Sequence, residues 1–126
     1  MKKKLLIATS LLGVLTIILG AFGAHSLKEV LSENLLKSFE TGVRYQMYHV
    51  LALLFINTTN SISLTFQKTI SYLFLIGIAL FSGSIYMITF FQVPAKSIWF
   101  VTPLGGLFLI VGWSVLCFSF IKNQKN

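Results

Sequence analysis

The sequence predicts an all-α membrane protein, a four-transmembrane-helix bundle with a short amphipathic helix between the first and second spans. Three observations predict it. Hydrophobic residues make up 56% of the chain and charged residues only 10%, where soluble domains carry about 25% charged. Long stretches without any charge recur along the sequence, and the cations gather at the chain ends and between those stretches. A soluble fold of 126 residues must cover its surface with polar groups, and this composition has too few. A lipid solvent removes that requirement.

Crossing the hydrocarbon core as a helix takes about 20 apolar residues. The first span is read over residues 5–24, the third over 70–91 and the fourth over 99–121, none of which contains a charge. In the fourth, Thr102 and Pro103 read as a cap followed by the first helical residue, with Trp99 in the interfacial belt. The second span, 41–58, is the weakest. It reads TGVRYQMYHVLALLFINT, with an apolar core only from Val50 to Ile56. Arg44, Gln46 and His49 in its first half must snorkel, pack inward or pair across the bundle. Four crossings return both Lys-bearing ends to one side, which favours counting it. The four spans make a single domain over 1–126.

Between the first two spans, about 26–40, lies the most polar stretch of the chain. Ser26 and Glu29 have the spacing of a capping box. Leu27, Val30, Leu31, Leu35 and Phe39 follow at helical spacing, with Lys28, Glu29, Glu33 and Lys37 between them. This predicts an amphipathic helix at the membrane surface, the alternative being a polar extension of the second span.

Ten Lys/Arg against three acids give a net charge of +7. The cations form no patch with readable nucleic-acid motifs, so the partner they indicate is the lipid bilayer and not nucleic acid. Lys2, Lys3, Lys4, Lys68, Lys122 and Lys125 fall on one side; Lys28, Lys37, Lys96 and Arg44 fall on the other. The bias predicts a multi-pass protein of the cell (cytoplasmic or inner) membrane with both termini in the cytoplasm. MKKK before an apolar stretch also resembles a signal peptide, with cleavage near Ala21–Gly23. The length of that stretch and the three spans after it predict a retained helix. Cys117, the only cysteine, reads as a small hydrophobe.

Four motifs stand in order along the chain: GAFGAHSLK (Gly20 to Lys28), FETGVRYQMYHVLALL (Phe39 to Leu54), LFSGSIYM (Leu80 to Met87) and TPLGGLFLIVGW (Thr102 to Trp113). Together they resemble the small bacterial inner-membrane proteins of domain of unknown function family 423, to which the eukaryotic transmembrane protein 256 is related. The resemblance implies a four-helix membrane protein without an established biochemical role. Arg44 departs from it, standing where an uncharged residue such as Gln is expected.

The candidate polar cluster is His25, Glu40, Arg44, Tyr45, Gln46, Tyr48 and His49. Glu40, Arg44 and Tyr48 share one helix face, and Tyr45 and His49 a neighbouring one. Glu40 is placed to pair with Arg44, which snorkels to the head groups. His49 lies about 7 Å deeper than Arg44, where a hydrogen bond to Tyr, Ser or a carbonyl of another helix would hold it neutral. His25 and His49 raise haem or another metal, or a quinone, as an alternative, but they fall at different depths and no carboxylate accompanies them. Ser82, Ser84 and Tyr86 are donors into the bundle. Gly13, Gly20, Ala24, Ala79, Gly83, Gly105, Gly106 and Gly112 are the expected helix-packing positions. No catalytic set, metal site or cofactor motif is visible. The expected function is non-enzymatic packing with lipid, a membrane partner or a second copy. A small oligomeric transport unit is the alternative.

Overall fold

In the computed structural model, which describes residues 2–124, the chain is all-helical. Lys125 of the charge count lies outside the described residues. The helices are α1 (Lys2–His25), α2 (Glu33–Thr58), α3 (Leu64–Thr89), the single turn α4 (Ala95–Ile98) and α5 (Val101–Gln124). Three segments, Lys2–His25, Leu64–Thr89 and Ala95–Asn123, are long and apolar enough to cross a membrane. Helix α2 has the length, at 26 residues, but carries too much polarity to join them on composition.

The polar stretch after α1 is not one helix. Ser26 makes no side-chain cap; only a 3-10 turn, Leu27–Glu29, forms, anchored by buried Leu27. The helix restarts at Ser32, whose hydroxyl accepts from the Leu35 amide. Residues 33–40 are therefore the first turns of α2, and the predicted amphipathic helix over 26–40 is corrected to a turn plus a polar extension. Ser32 satisfies a free amide of α2 that Ser26 is placed too early to reach. At the other end of the molecule, Ser63 caps α3 in the same way through the Phe66 amide. Helix α5 starts two residues before Pro103, which sits in the first turn where no amide is missed. Thr102 is not its cap: its hydroxyl pairs with Ser84 of α3.

Successive long helices pack antiparallel: α1 on α2, α2 on α3, and α3 most extensively on α5. The close approaches fix the register. Gly13, Gly20 and Gly23 of α1 face Val50, Val43 and Phe39 of α2. Gly77 faces Leu109, Gly105 lies on the backbone of Leu80 and Phe81, and Gly112 lies on the ring of Phe74. Where lipid gives helices no hydrophobic reason to associate, such contacts supply dispersion attraction and admit hydrogen bonds. The apolar core joins Leu53 and Ile56 of α2 to Ile70, Phe74 and Ile78 of α3 and to Leu109 and Leu116 of α5. Helix α1 lies outside it, and Leu11, Val14, Ile17 and Ile18 on its far side are exposed. So are Leu107, Ile110, Phe118 and Ile121 of α5. A surface this apolar fits hydrocarbon and not water.

The packing residues differ in part from those expected. Ala24 and Ala79 are exposed, and a side chain added at Gly83 would meet nothing. Gly106 has only an ordinary contact with Phe81. The positions of α1 that face the bundle, buried Thr9, Thr16 and Gly23 and partly buried Gly13 and Gly20, step by four and three alternately, as in a coiled-coil seam. A stride of four alone drifts off that seam to Ala24. Gly23, Gly42 and Gly77 join the close approaches instead.

These contacts rank the glycines. Gly105→Ala should cost about 1–3 kcal/mol, because the added methyl meets backbone that cannot step aside. Gly83→Ala should stay within about 0.5 kcal/mol of the parent. Thermal or denaturant unfolding in detergent measures both.

Candidate functional site

The residues able to do chemistry inside the bundle gather on α2. Phe39, Gly42, Gln46, His49, Leu53 and Ile56 are buried at steps of three and four. This puts two strongly polar side chains in the interior, each of which needs a partner because no water is at hand.

Gln46, 2% exposed, ties three helices together. Its Nε2 donates to Thr16 Oγ1 at 2.7 Å and to the Leu12 carbonyl at 3.3 Å, both on α1. The Thr16 hydroxyl gives its own proton to the Leu12 carbonyl, leaving its lone pairs for the amide. On the opposite side Oε1 of Gln46 accepts from the Tyr86 hydroxyl of α3 at 2.6 Å. Tyr86 is held in turn by its ring contact with Phe39.

His49, 4% exposed, joins α2 to α5. Trp113 Nε1 donates to His49 Nε2 at 2.9 Å, and His49 Nδ1 lies 2.6 Å from the Tyr45 carbonyl. An indole N–H only donates and a carbonyl only accepts, so the ring must be the neutral Nδ1–H tautomer. The edge of Phe74 closes the remaining side, 5.0 Å between centroids. Further cross-links follow along α2. Ser82 donates to the Gly42 carbonyl at 2.7 Å, and Asn57 donates to Ser71 Oγ at 2.9 Å.

The predicted cluster is thus divided. Gln46 and His49 are interior, whereas His25, Glu40, Arg44, Tyr45 and Tyr48 are exposed. His25 ends α1. Tyr45 stacks on Phe81 at 4.9 Å, and Tyr48 packs beside Tyr45. Arg44 and Glu40 do not pair: Arg44 donates to Thr41 Oγ1 at 3.2 Å. Among the described residues the ion pair formed is Lys37 with Glu33, at 3.6 Å on the surface. An exposed pair gains little over solvation, so Arg44 has no strong pull toward Glu40. The recess beside Arg44, about 170 Å³, is lined by Gly20, Gly23, Phe39 and Val43 and does not reach Gln46 or His49.

The sequence does not mark Thr16 or Trp113 as partners of Gln46 and His49, nor Asn57 and Ser71 as partners of each other. A seam drawn at alternating steps of three and four through Gln46 passes through His49 and through Ile56, the neighbour of Asn57, on α2. For Trp113 the only signal is that a half-buried indole needs an acceptor.

An all-helical chain with three such spans, an apolar exterior and hydrogen bonds that join Gln46 and His49 to neighbouring helices defines a small integral membrane protein. Comparison with known proteins places it further. The family model described as "Protein of unknown function (DUF423)" matches residues 19–106, and the chain belongs to that family. It is 36% identical to a UPF0382 membrane protein of Haemophilus influenzae, over 99% of both chains. It is 34% identical to the UPF0382 membrane protein YwdK of Bacillus subtilis, over 95% of this chain and 98% of that one. To the UPF0382 inner membrane protein YgdD of Escherichia coli it is again 34% identical, over 97% and 92%. None of these names carries an enzymatic activity. No solved structure matches the chain.

A double-mutant cycle of Gln46→Leu with Tyr86→Phe should return a coupling of about 0.6 to 1.7 kcal/mol, from the average to the maximum found for hydrogen bonds within membranes. The same cycle on Glu40→Gln with Arg44→Gln should return about zero. Unfolding in mixed micelles measures both.

Proposed function

We propose that this chain is a four-span protein of the cytoplasmic (inner) membrane that works without catalysis, as a scaffold binding lipid, a membrane partner or a second copy. One observation carries the proposal: Gln46, His49 and Tyr86, the polar side chains at the centre of the bundle, are engaged by neighbouring helices and line neither the recess beside Arg44 nor the groove between Lys2 and Lys68. Groups held in this way cement helices. They are not arranged to bind and turn over a substrate.

The fourth crossing is α2. Its 26 residues make about 39 Å of helix, enough for a core of about 30 Å. Its polarity does not forbid crossing, since Gln46 and His49 face neighbouring helices and not lipid. Arg44 lies toward the end that carries Glu40, within reach of head groups by snorkelling. Both termini then face the cytoplasm, with Lys2, Lys3, Lys4, Lys68 and Lys122 on that side.

The transport alternative needs a polar path, and Arg44, Tyr45 and Tyr48 lie on the outside of α2 rather than along one. A haem ligated by His49 would have to displace Trp113 from Nε2 or break the bond to the Tyr45 carbonyl.

Reporter fusions test the crossings. Cytoplasmic reporters should be active at Ser61 and at the C-terminus, and periplasmic ones at Ser32 and Ala95. Activity of the same reporter at Ser32 and Ser61 would remove α2 from the membrane and overturn the four-span reading. Proteoliposomes should leak protons and small ions no faster than empty vesicles; a faster leak abolished by Arg44→Gln would establish the transport alternative.

A further inference from the structure

Away from the polar seam, the lysine-bearing end of the molecule holds a groove of about 310 Å³ between α1 and α3, with α2 at its base. It exists because α1 packs chiefly on α2 and leaves the flank of α3 uncovered. Lys2 and Lys68 stand among its lining residues, Leu5, Tyr72 and Leu75 give it apolar walls, and Asn57 and Gln67 contribute buried amides. Resting on the four-span reading, we propose that this groove binds one anionic phospholipid of the cytoplasmic leaflet.

Charge identifies the head group. The three acids of the chain are Glu29, Glu33 and Glu40, all at the opposite end of the bundle. The length of α1, about 35 Å, separates them from Lys2. Lys2, Lys3, Lys4, Lys68 and Lys122 therefore share an end with no Asp or Glu side chain, and most of their counter-charge must come from outside the chain. Lipid phosphates are the anions at that depth.

The walls identify the rest of the ligand. From Lys68 to Leu75 the groove follows α3 for about 10 Å, from the head-group level into the hydrocarbon of one leaflet. A free phosphate would leave that apolar length unused. An acyl chain fills it.

The amides add a preference among anionic lipids. Asn57 Nδ2 is engaged by the Leu53 carbonyl and Ser71 Oγ, and Gln67 Nε2 by the carbonyls of Thr59 and Ile62. The two amide oxygens receive no hydrogen bond from the described residues and remain as acceptors. A head group with hydroxyls, such as phosphoglycerol, supplies the donors.

Native mass spectrometry of the full chain, equilibrated with equal amounts of phosphatidylglycerol, phosphatidylethanolamine and phosphatidylcholine, tests the site. One phosphatidylglycerol should be retained in preference to the other two. The double variant Lys2→Gln/Lys68→Gln should weaken that retention roughly 30-fold, as two head-group lysines imply. Lys3→Gln/Lys4→Gln, outside the groove but equal in charge, should change it less than about threefold. Leu75→Trp keeps every lysine and fills the apolar wall, and it too should release the lipid. Excess inorganic phosphate should not compete. Equal retention of the three lipids, equal loss in both lysine pairs, or displacement by phosphate would each overturn the site. Any of these with the reporter pattern as expected removes the site alone, whereas a failed reporter pattern removes the four-span reading beneath it.

Discussion

The structure depends on one constraint: a helix with Gln46 and His49 in its middle can sit in hydrocarbon only if those two side chains find partners within the bundle. Here α2 finds them on each side. Thr16 and the Leu12 carbonyl come from α1, Tyr86 and Ser82 from α3, and Trp113 from α5. Because these bonds point in three directions from one rod, they fix which helix lies where. Close approaches at Gly13, Gly23, Gly42 and Gly112 then bring the backbones near enough for those bonds to close. Polar satisfaction and small-residue packing are thus one device in this bundle.

This arrangement explains what the four sequence motifs do. GAFGAHSLK supplies Gly20 and Gly23, against which Val43 and Phe39 pack. FETGVRYQMYHVLALL carries most of the inner stripe of α2, Phe39, Gly42, Gln46, His49 and Leu53. LFSGSIYM brings Ser82 to Gly42, Ser84 to Thr102 and Tyr86 to Gln46. TPLGGLFLIVGW brings Gly105 and Gly112 onto α3 and Trp113 to His49. Each of the four motifs thus contributes residues that join helices.

Three spans were legible in the sequence because charge-free length is a property of composition, and composition survives any choice of helix face. Faces were harder. A stride of four placed Glu40, Arg44 and Tyr48 together, and they do lie together, but on the exposed side. The buried side follows alternating threes and fours through Phe39, Gly42, Gln46 and His49, the spacing of a seam along one face of a helix. Partners across helices, such as Thr16 for Gln46 or Trp113 for His49, depend on the register between two rods. A single sequence does not contain that register. The break at Ser32 was also missed, since Ser26 with Glu29 offers a cap of equal quality on paper and only the burial of Leu27 and Phe39 decides between them.

The central claim is that His49 is locked between α2 and α5 as a structural bridge. Nitrogen-15 NMR of the labelled protein in bilayers at neutral pH measures this directly. The account predicts a neutral ring protonated at Nδ1, with the Trp113 indole proton correlated to Nε2, and loss of that correlation in Trp113→Phe. A charged ring, or one protonated at Nε2 and exchanging with water, would contradict it.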